Sequence, residues 1–162
     1  MRHIIHRREL VADDVRYAGE ASGPGTRAAQ PAAQFIAALS AGQASAAAAA
    51  VLIGPADEVE ALAPHLALLS LIVVEFPKIG EGRGYSQARL LRQRYGYAGE
   101  LRARGALKRD QLFFLARCGF NSFDLDPAED LEAALGSFND FSVAYQGGSD
   151  AVVQVRRRAG SA

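Results

Sequence analysis

Two hydrophobic patterns alternate along the chain from about residue 50 onward. Short apolar or period-two runs begin near Val51, Leu71, Glu100, Ser122 and Ser142. Between them lie segments with helical spacing, near Asp57–Leu69, Tyr85–Tyr95, Leu107–Arg117 and Asp130–Phe138. Strand, helix and strand at intervals of about twenty to thirty residues predict βαβ units and a parallel sheet. Asp57 and Asp130 are placed to serve helix N-termini, and Gly96 and Gly119 to end helices. In the segment 107–118, Leu107, Phe114, Leu115 and Cys118 form one stripe, widened by Leu112, which predicts a core-facing helix.

The strands differ in kind. Val51–Ile53 and Leu71–Val74 are continuously apolar, as buried parallel strands are. The later ones alternate. Leu101 and Ala103 share one face, with Glu100, Arg102 and Arg104 on the other. Phe123 and Leu125 oppose Ser122, Asp124 and Asp126, and Val143 and Tyr145 oppose Ser142 and Gln146. A sheet covered by helices on both faces would bury these charges at several kcal/mol each when unpaired, on the order expected for buried ions. The expected fold is therefore α/β with consecutive βα units, half (βα)-barrel-like, helices mainly on one face and a concave polar face on the other. The alternative is a three-layer open parallel sheet.

The first half is less regular. His3–His6 and Val15–Tyr17 are β-like and Asp13-Asp14 between them predicts a turn, so residues 1–30 read as a hairpin followed by a linker. Pro31 opens a helix carrying Phe35, Ile36 and Leu39, and Gly42 ends it. The expected organisation is a single domain over 1–162, with a βα core at 46–146 and a flexible tail at 147–162.

Composition changes this picture little. The chain has 162 residues, 49% hydrophobic and 22% charged, which is globular. One cysteine excludes an internal disulfide and a cysteine-only zinc cage. His3 and His6 lack an evident third ligand, so no metal is expected. The expected location is cytoplasmic, without a secretion leader or membrane span. Eighteen basic and eighteen acidic residues balance, but not locally. Residues 78–117 carry a net charge of +7 and residues 118–150 one of −7. The basic residues are scattered over helix, strand and loop without interleaved stacking aromatics, so no nucleic-acid partner is expected.

Candidate chemistry falls in two places. The loop 75–87 follows a strand end and opens a helix. Gly80, Gly82 and Gly84 permit close backbone approach there, Lys78, Arg83 and Arg89 add positive charge, and Ser86 adds a hydroxyl. With Tyr85 these residues make a candidate oxyanion site that matches neither a Walker A loop nor a dinucleotide fingerprint. The second place is a ladder across the concave face formed by Glu75, Arg102, Arg104, Asp124, Asp126 and Gln146. Arg102 and Arg104 are its candidate anion ligands, and Asp110 and Asp124 are the candidate general bases. Cys118 lies on an apolar stripe and reads as a buried, unreactive thiol.

Phe76-Pro77-Lys78, Gly82–Ser86, Ala88–Arg92, Gly99–Ala103, Asp110–Leu112 and Arg117–Phe120 occur in the order of a bacterial family of unknown function. The chain resembles that family, which often carries the label probable oxidoreductase and is encoded beside assimilatory sulfite reductase genes. Glu81 and Asn121 stand where the family is expected to carry Asp. The resemblance implies an accessory or interaction protein of sulfur assimilation, with sulfite reductase or another protein of that process as partner. Neither an iron–sulfur spacing nor a nicotinamide fingerprint is present, so no cofactor is expected. A homo-oligomer is expected, because half-barrel units can pair. The competing expectation is an enzyme acting on a small oxyanion or phosphorylated metabolite bound at residues 78–89.

Overall fold

The computed structural model describes residues 2–18, 27–43 and 49–138. The strand expected at Ser142–Gln146 and the tail at 147–162 lie outside these residues. Among the described residues one curled, mostly parallel sheet holds eight strands. They are β1 (His3–His6), β2 (Glu9–Ala12), β3 (Val15–Arg16), β4 (Arg27–Pro31), β5 (Ala49–Ile53), β6 (Leu69–Phe76), β7 (Glu100–Gly105) and β8 (Ser122–Asp124). Their spatial order is β2-β1-β8-β7-β6-β5-β4-β3. Strands β3 to β8 run parallel in chain order, whereas β1 pairs antiparallel with both β8 and β2. The helices α1 (Ala32–Ser40), α2 (Arg83–Arg89), α3 (Leu112–Cys118) and α4 (Leu131–Ser137) lie alongside. This is the half-barrel of consecutive βα units that the alternating strands predict.

The two edges of the sheet are closely connected. Strand β2 ends one side of the order and β3 ends the other, yet only Asp13 and Asp14 separate them in the chain. Three virtual bonds reach at most ~11 Å. The sheet must therefore curl until its edges approach, and this short link crosses the concave side.

Side-chain alternation sorts the core into two parts. Outside, Val51, Ile53, Ile72, Val74, Leu101, Ala103, Phe123 and Ile5 pack with Phe35, Leu91, Leu112, Leu115 and Ala134 from the helical layer. Inside, Val15, Tyr17, Ala29, Ala50, Leu71 and Val73 form a smaller cluster contributed by β3 to β6 and the residue after β3. A register shift between Ala49 and Ala50 lets Leu69 share the outer face with Ile72 despite the odd spacing. Burying apolar side chains on both faces explains why β5 and β6 read as unbroken apolar runs.

Local differences from the expected elements have local causes. The hairpin joins β1 to β2 through Arg7 and Arg8, both at positive φ, rather than through Asp13-Asp14. An Arg-Arg turn lacks the asparagine and glycine that mark such turns in sequence. Residues 57–69 form two 3-10 segments, Val59–Ala61 and Ala63–Leu68, instead of one helix. Pro64 lacks the amide that a continuous helix would need. Asp57 accepts the Gly54 amide in a turn, while Asp130 caps α4 through the amides of Glu132 and Ala133. Phe114 is 44% exposed rather than core. The helix starts only at Leu112, after a 3-10 turn at Arg109–Gln111, so the phase set from Leu107 does not carry through. Gly119 ends α3 in the left-handed region, as expected. Cys118 is a buried free thiol. No helix among the described residues is long and apolar enough to cross a membrane.

Gly105 ends β7 at φ +125°, and a Cβ there would lie 2.3 Å from the Phe76 carbonyl oxygen. Gly105→Ala is expected to cost about 2–3 kcal/mol in a urea unfolding titration, from backbone strain and displacement of β6. Gly136→Ala in α4, where a Cβ meets open space, is expected to stabilise by about 0.5–1 kcal/mol.

Candidate functional site

Strands β6, β7 and β8 turn charged side chains into the concave side. Because Glu75, Arg104 and Asp124 are register partners on β6, β7 and β8, sequence alternation alone brings them together. Arg102 lies one pleat lower, opposite Ser122 and Val73. Four of the six ladder residues thus meet as expected. Asp126 sits just beyond β8, where its Oδ1 accepts the Ala128 amide, and Gln146 lies outside the described residues.

Arg102 is 1% exposed and, among the described residues, is the largest of the fully buried side chains. Its Nη1 donates to Asp13 Oδ1 at 2.8 Å and to the Tyr17 hydroxyl at 3.3 Å. Its Nη2 donates to Glu100 Oε1 at 2.8 Å, and its Nε to Ser122 Oγ at 3.1 Å. One guanidinium therefore ties β7 and β8 to the link between the sheet's edges. Burial opposes its charge, but Tyr17, Glu100 and Asp13 outweigh burial and raise its pKa. Burial likewise pushes Glu100 up, yet the charge and hydrogen bonds of Arg102 prevail and hold it below the usual carboxylate range. Arg27, at the start of β4, bridges Asp14 and Glu100. Arg2 pairs with Asp13 from the β1 side.

Arg104 is held differently. Its guanidinium carbon lies 3.6 Å from the centre of the Tyr17 ring, which places it over the ring face. Nε approaches Asp124 Oδ2 at 3.3 Å and Nη1 approaches Glu75 Oε1 at 3.4 Å. Burial raises the pKa of Asp124, although Arg2 and Arg104 pull it down. Above Asp124 the sheet opens into a pocket of about 500 Å3 at the carboxyl ends of β7 and β8, bordered by Arg2, Arg104, Asp124, Asp126 and Glu129. Parallel α/β folds place ligands at this end of their strands.

The glycine-rich loop does not converge on this ladder. Lys78, Gly82, Arg83, Ser86 and Arg89 are exposed. Gly84 is buried because the Phe76 ring occupies the place of a Cβ, at 2.5 Å. The Tyr85 ring contacts Phe76 and Phe114, and its hydroxyl accepts from Gln111 Nε2 at 3.1 Å. Ser86, Arg89 and Arg94 border a shallow depression along α2 and the π-helical turn Leu90–Arg94 that follows it. Asp110 lies exposed in the turn before α3, away from the lining of the mouth pocket. Arg92 is structural, donating to the carbonyls of Tyr97, Gly99 and Gly119.

The residues that sequence reasoning missed are Arg2, Asp13, Tyr17 and Arg27. All come from the segment that reads as hairpin and linker. Only the approach of the sheet's edges brings them beside β7, and no short-range pattern carries that signal.

Arg102→Gln removes the buried cation that Asp13 and Glu100 share, leaving them with Arg2 and Arg27 at the edge of the network, and is expected to cost about 3 kcal/mol, the low end for breaking a buried pair. Asp124→Asn is expected to be neutral or stabilising at pH 7, because its raised pKa means that folding disfavours its charged form. Glu100 has the opposite sign. Its lowered pKa makes its stabilisation complete above the unfolded carboxylate range and lost as pH falls through the folded value. Urea midpoints from pH 7 downward should therefore fall less steeply in Glu100→Gln than in the wild type. An equal slope in both would remove Glu100 from the network's electrostatics.

No curated protein and no solved structure matches the chain. The family model for a bacterial protein of unknown function, DUF934, matches residues 50–155, which span β5 to α4 and continue beyond the described residues. The half-barrel strands that carry the inner arginines, together with the loop before α2, therefore belong to a member of this bacterial family.

Proposed function

We propose that this protein is an accessory of bacterial sulfur assimilation that acts by docking on sulfite reductase, without redox chemistry of its own. The observation that carries the reading is the outer surface of α2 and α3. Phe114 is 44% exposed there, its ring lies against Tyr85, and the Arg89 guanidinium sits over it at 5.8 Å. Arg94 continues the basic edge. Exposed aromatics beside arginine are the side chains that most often dominate protein interfaces. Their charge fits an acidic surface on the partner. The inner ladder supports the same reading, since Arg102 is bound to Asp13 and Glu100 and is out of reach of a substrate. The other sequence reading, an oxyanion enzyme at residues 78–89, draws little support from a loop whose Lys78, Arg83, Ser86 and Arg89 are separately exposed.

Purified sulfite reductase should retain the wild-type protein, and Arg89→Glu with Phe114→Ala should weaken that retention about thirty-fold, the effect of losing one interface anchor worth about 2 kcal/mol. Added salt should weaken wild-type binding. Equal binding by the variant, or no binding by the wild type at micromolar concentration, overturns the reading. So does a wild-type homodimer that the same substitutions dissociate and that ignores sulfite reductase.

A further inference from the structure

The edge of the sheet at β2 contains none of the docking residues and has a chemistry of its own. Strand β2 ends the sheet on one side, and among the described residues only β1 pairs with it. The turn Arg7-Arg8 has both residues at positive φ, as in a type I′ hairpin, so the flanking His6 and Glu9 form a hydrogen-bonded pair. The ladder then alternates. Ile4 and Val11 are a hydrogen-bonded pair, and Ile5 and Leu10 are not. The Asp13 amide donates to the Arg2 carbonyl at 2.9 Å, which continues the same phase. Glu9 and Val11 therefore use their N–H and C=O groups on β1, while Leu10 and Ala12 point theirs away from it.

This edge is open to solvent. Glu9, Leu10 and Ala12 are exposed, Leu10 at 37%. Edge strands that must not pair are very short, or carry proline, lysine or a bulge. Strand β3, at the other end of the sheet, has two residues. Strand β2 has four and contains neither proline nor lysine. Charge is instead arranged from end to end. Arg7 and Arg8 precede β2, and Asp13 and Asp14 follow it. Arg7 and Arg8 make no ion pair among the described residues, and the Arg8 guanidinium lies over the Phe138 ring at 5.4 Å. Both Asp14 oxygens accept from Arg27, yet the side chain is 51% exposed and each oxygen keeps a second lone pair. A strand that is basic before and acidic after complements an antiparallel copy of itself and opposes a parallel one.

We propose that β2 pairs antiparallel with β2 of a second copy of this chain, joining two half-barrels into one continuous sheet. Val11 lies on the two-fold axis and Leu10 opposite Ala12 of the second copy, the register that uses every outward N–H and C=O of Leu10 and Ala12. On the outer face Arg8 then meets Asp14 of the second copy, and the two Leu10 side chains become diagonal neighbours. On the inner face Glu9 meets Asp13 of the second copy, whose charge Arg102 and Arg2 already balance. An isologous contact of this kind closes at the dimer. Four residues from each copy make less than a standard interface, so the dimer is weak, with a dissociation constant of ~10–100 μM.

Sedimentation equilibrium of the full chain tests this. The mass should rise from monomer to dimer as the concentration passes through ~10–100 μM. Ala12→Pro removes an outward N–H at an edge position, where proline leaves the pairing with β1 intact. It should keep the chain monomeric, with thermal unfolding confirming that the variant folds. Arg8→Glu sets like charges opposite one another and should weaken the dimer about three- to ten-fold. Cysteine crosslinking reads the register. Two Val11 positions facing each other as a non-hydrogen-bonded pair have Cα atoms ≈ 4.5 Å apart, within disulfide reach, whereas diagonal Leu10 positions are beyond it. Oxidation should therefore link Val11→Cys into covalent dimers and leave Leu10→Cys unlinked, and the buried Cys118 does not interfere. A wild type that stays monomeric at ~1 mM overturns the proposal. So does a dimer that Ala12→Pro leaves intact, or one that links through Leu10→Cys rather than Val11→Cys. A monomer whose Leu10 and Ala12 amides exchange slowly with solvent also overturns it, because another part of the chain then covers the edge. None of these outcomes involves sulfite reductase, so this edge and the docking surface stand or fall separately.

Discussion

The fold turns on one buried cation. Arg102 projects from the middle of β7 into the concave side of the sheet and binds Asp13 on the link that crosses from one edge to the other. Without a counter-charge, a guanidinium at that depth would cost several kcal/mol, an order typical of buried ions. With Asp13, Glu100, Ser122 and Tyr17 around it, the charge is paired and its donors are used. Such a network adds little net stability over an apolar core of the same volume. Its effect is on geometry, because Arg102 can be satisfied only when the 13–14 link lies over β7. Curvature of the sheet and satisfaction of this charge are the same condition.

The concave side is consequently divided. Strands β3 to β6 supply small and branched apolar groups, and β7, β8 and Glu75 at the end of β6 supply ions. Tyr17 stands at the boundary. Its hydroxyl accepts from Arg102 and its ring face carries Arg104. Burial raises its pKa, against the pull of Arg102, so the phenol stays neutral. One aromatic side chain therefore completes the closed network below and sets the arginine that borders the open pocket above. The difference between these arginines is one of depth. Two residues further along β7, the strand has reached the mouth, where solvent enters and carboxylate contacts lengthen.

The outer surface follows a separate logic. Helix α2 and its π-helical extension pack Ala88 and Leu91 inward and turn Ser86, Arg89 and Arg94 outward. Tyr85 and Phe114 bridge α2 to α3 at the edge of this layer. Seven of the ten basic residues in 78–117 separate into two populations. Arg92, Arg102 and Arg104 serve the interior or its mouth, while Lys78, Arg83, Arg89 and Arg94 lie in the loop before α2 and along its outer side.

The sequence by itself determined the parallel order of the later strands and which of their residues face inward. Period-two alternation is a local property, and burial of an unpaired charge beneath helices is too unfavourable to leave the choice of face open. It also placed Glu75, Arg102, Arg104 and Asp124 on one ladder, because sequential parallel strands put equivalent positions side by side. It did not separate Arg102 from Arg104, which look alike two positions apart on the same face. Nor did it mark Arg2, Asp13, Tyr17 or Arg27 as partners of that ladder. Those assignments depend on how far the sheet curls and on where a two-residue link crosses it. Both are set by contacts between residues as many as 89 positions apart in the chain, which only the tertiary structure brings together.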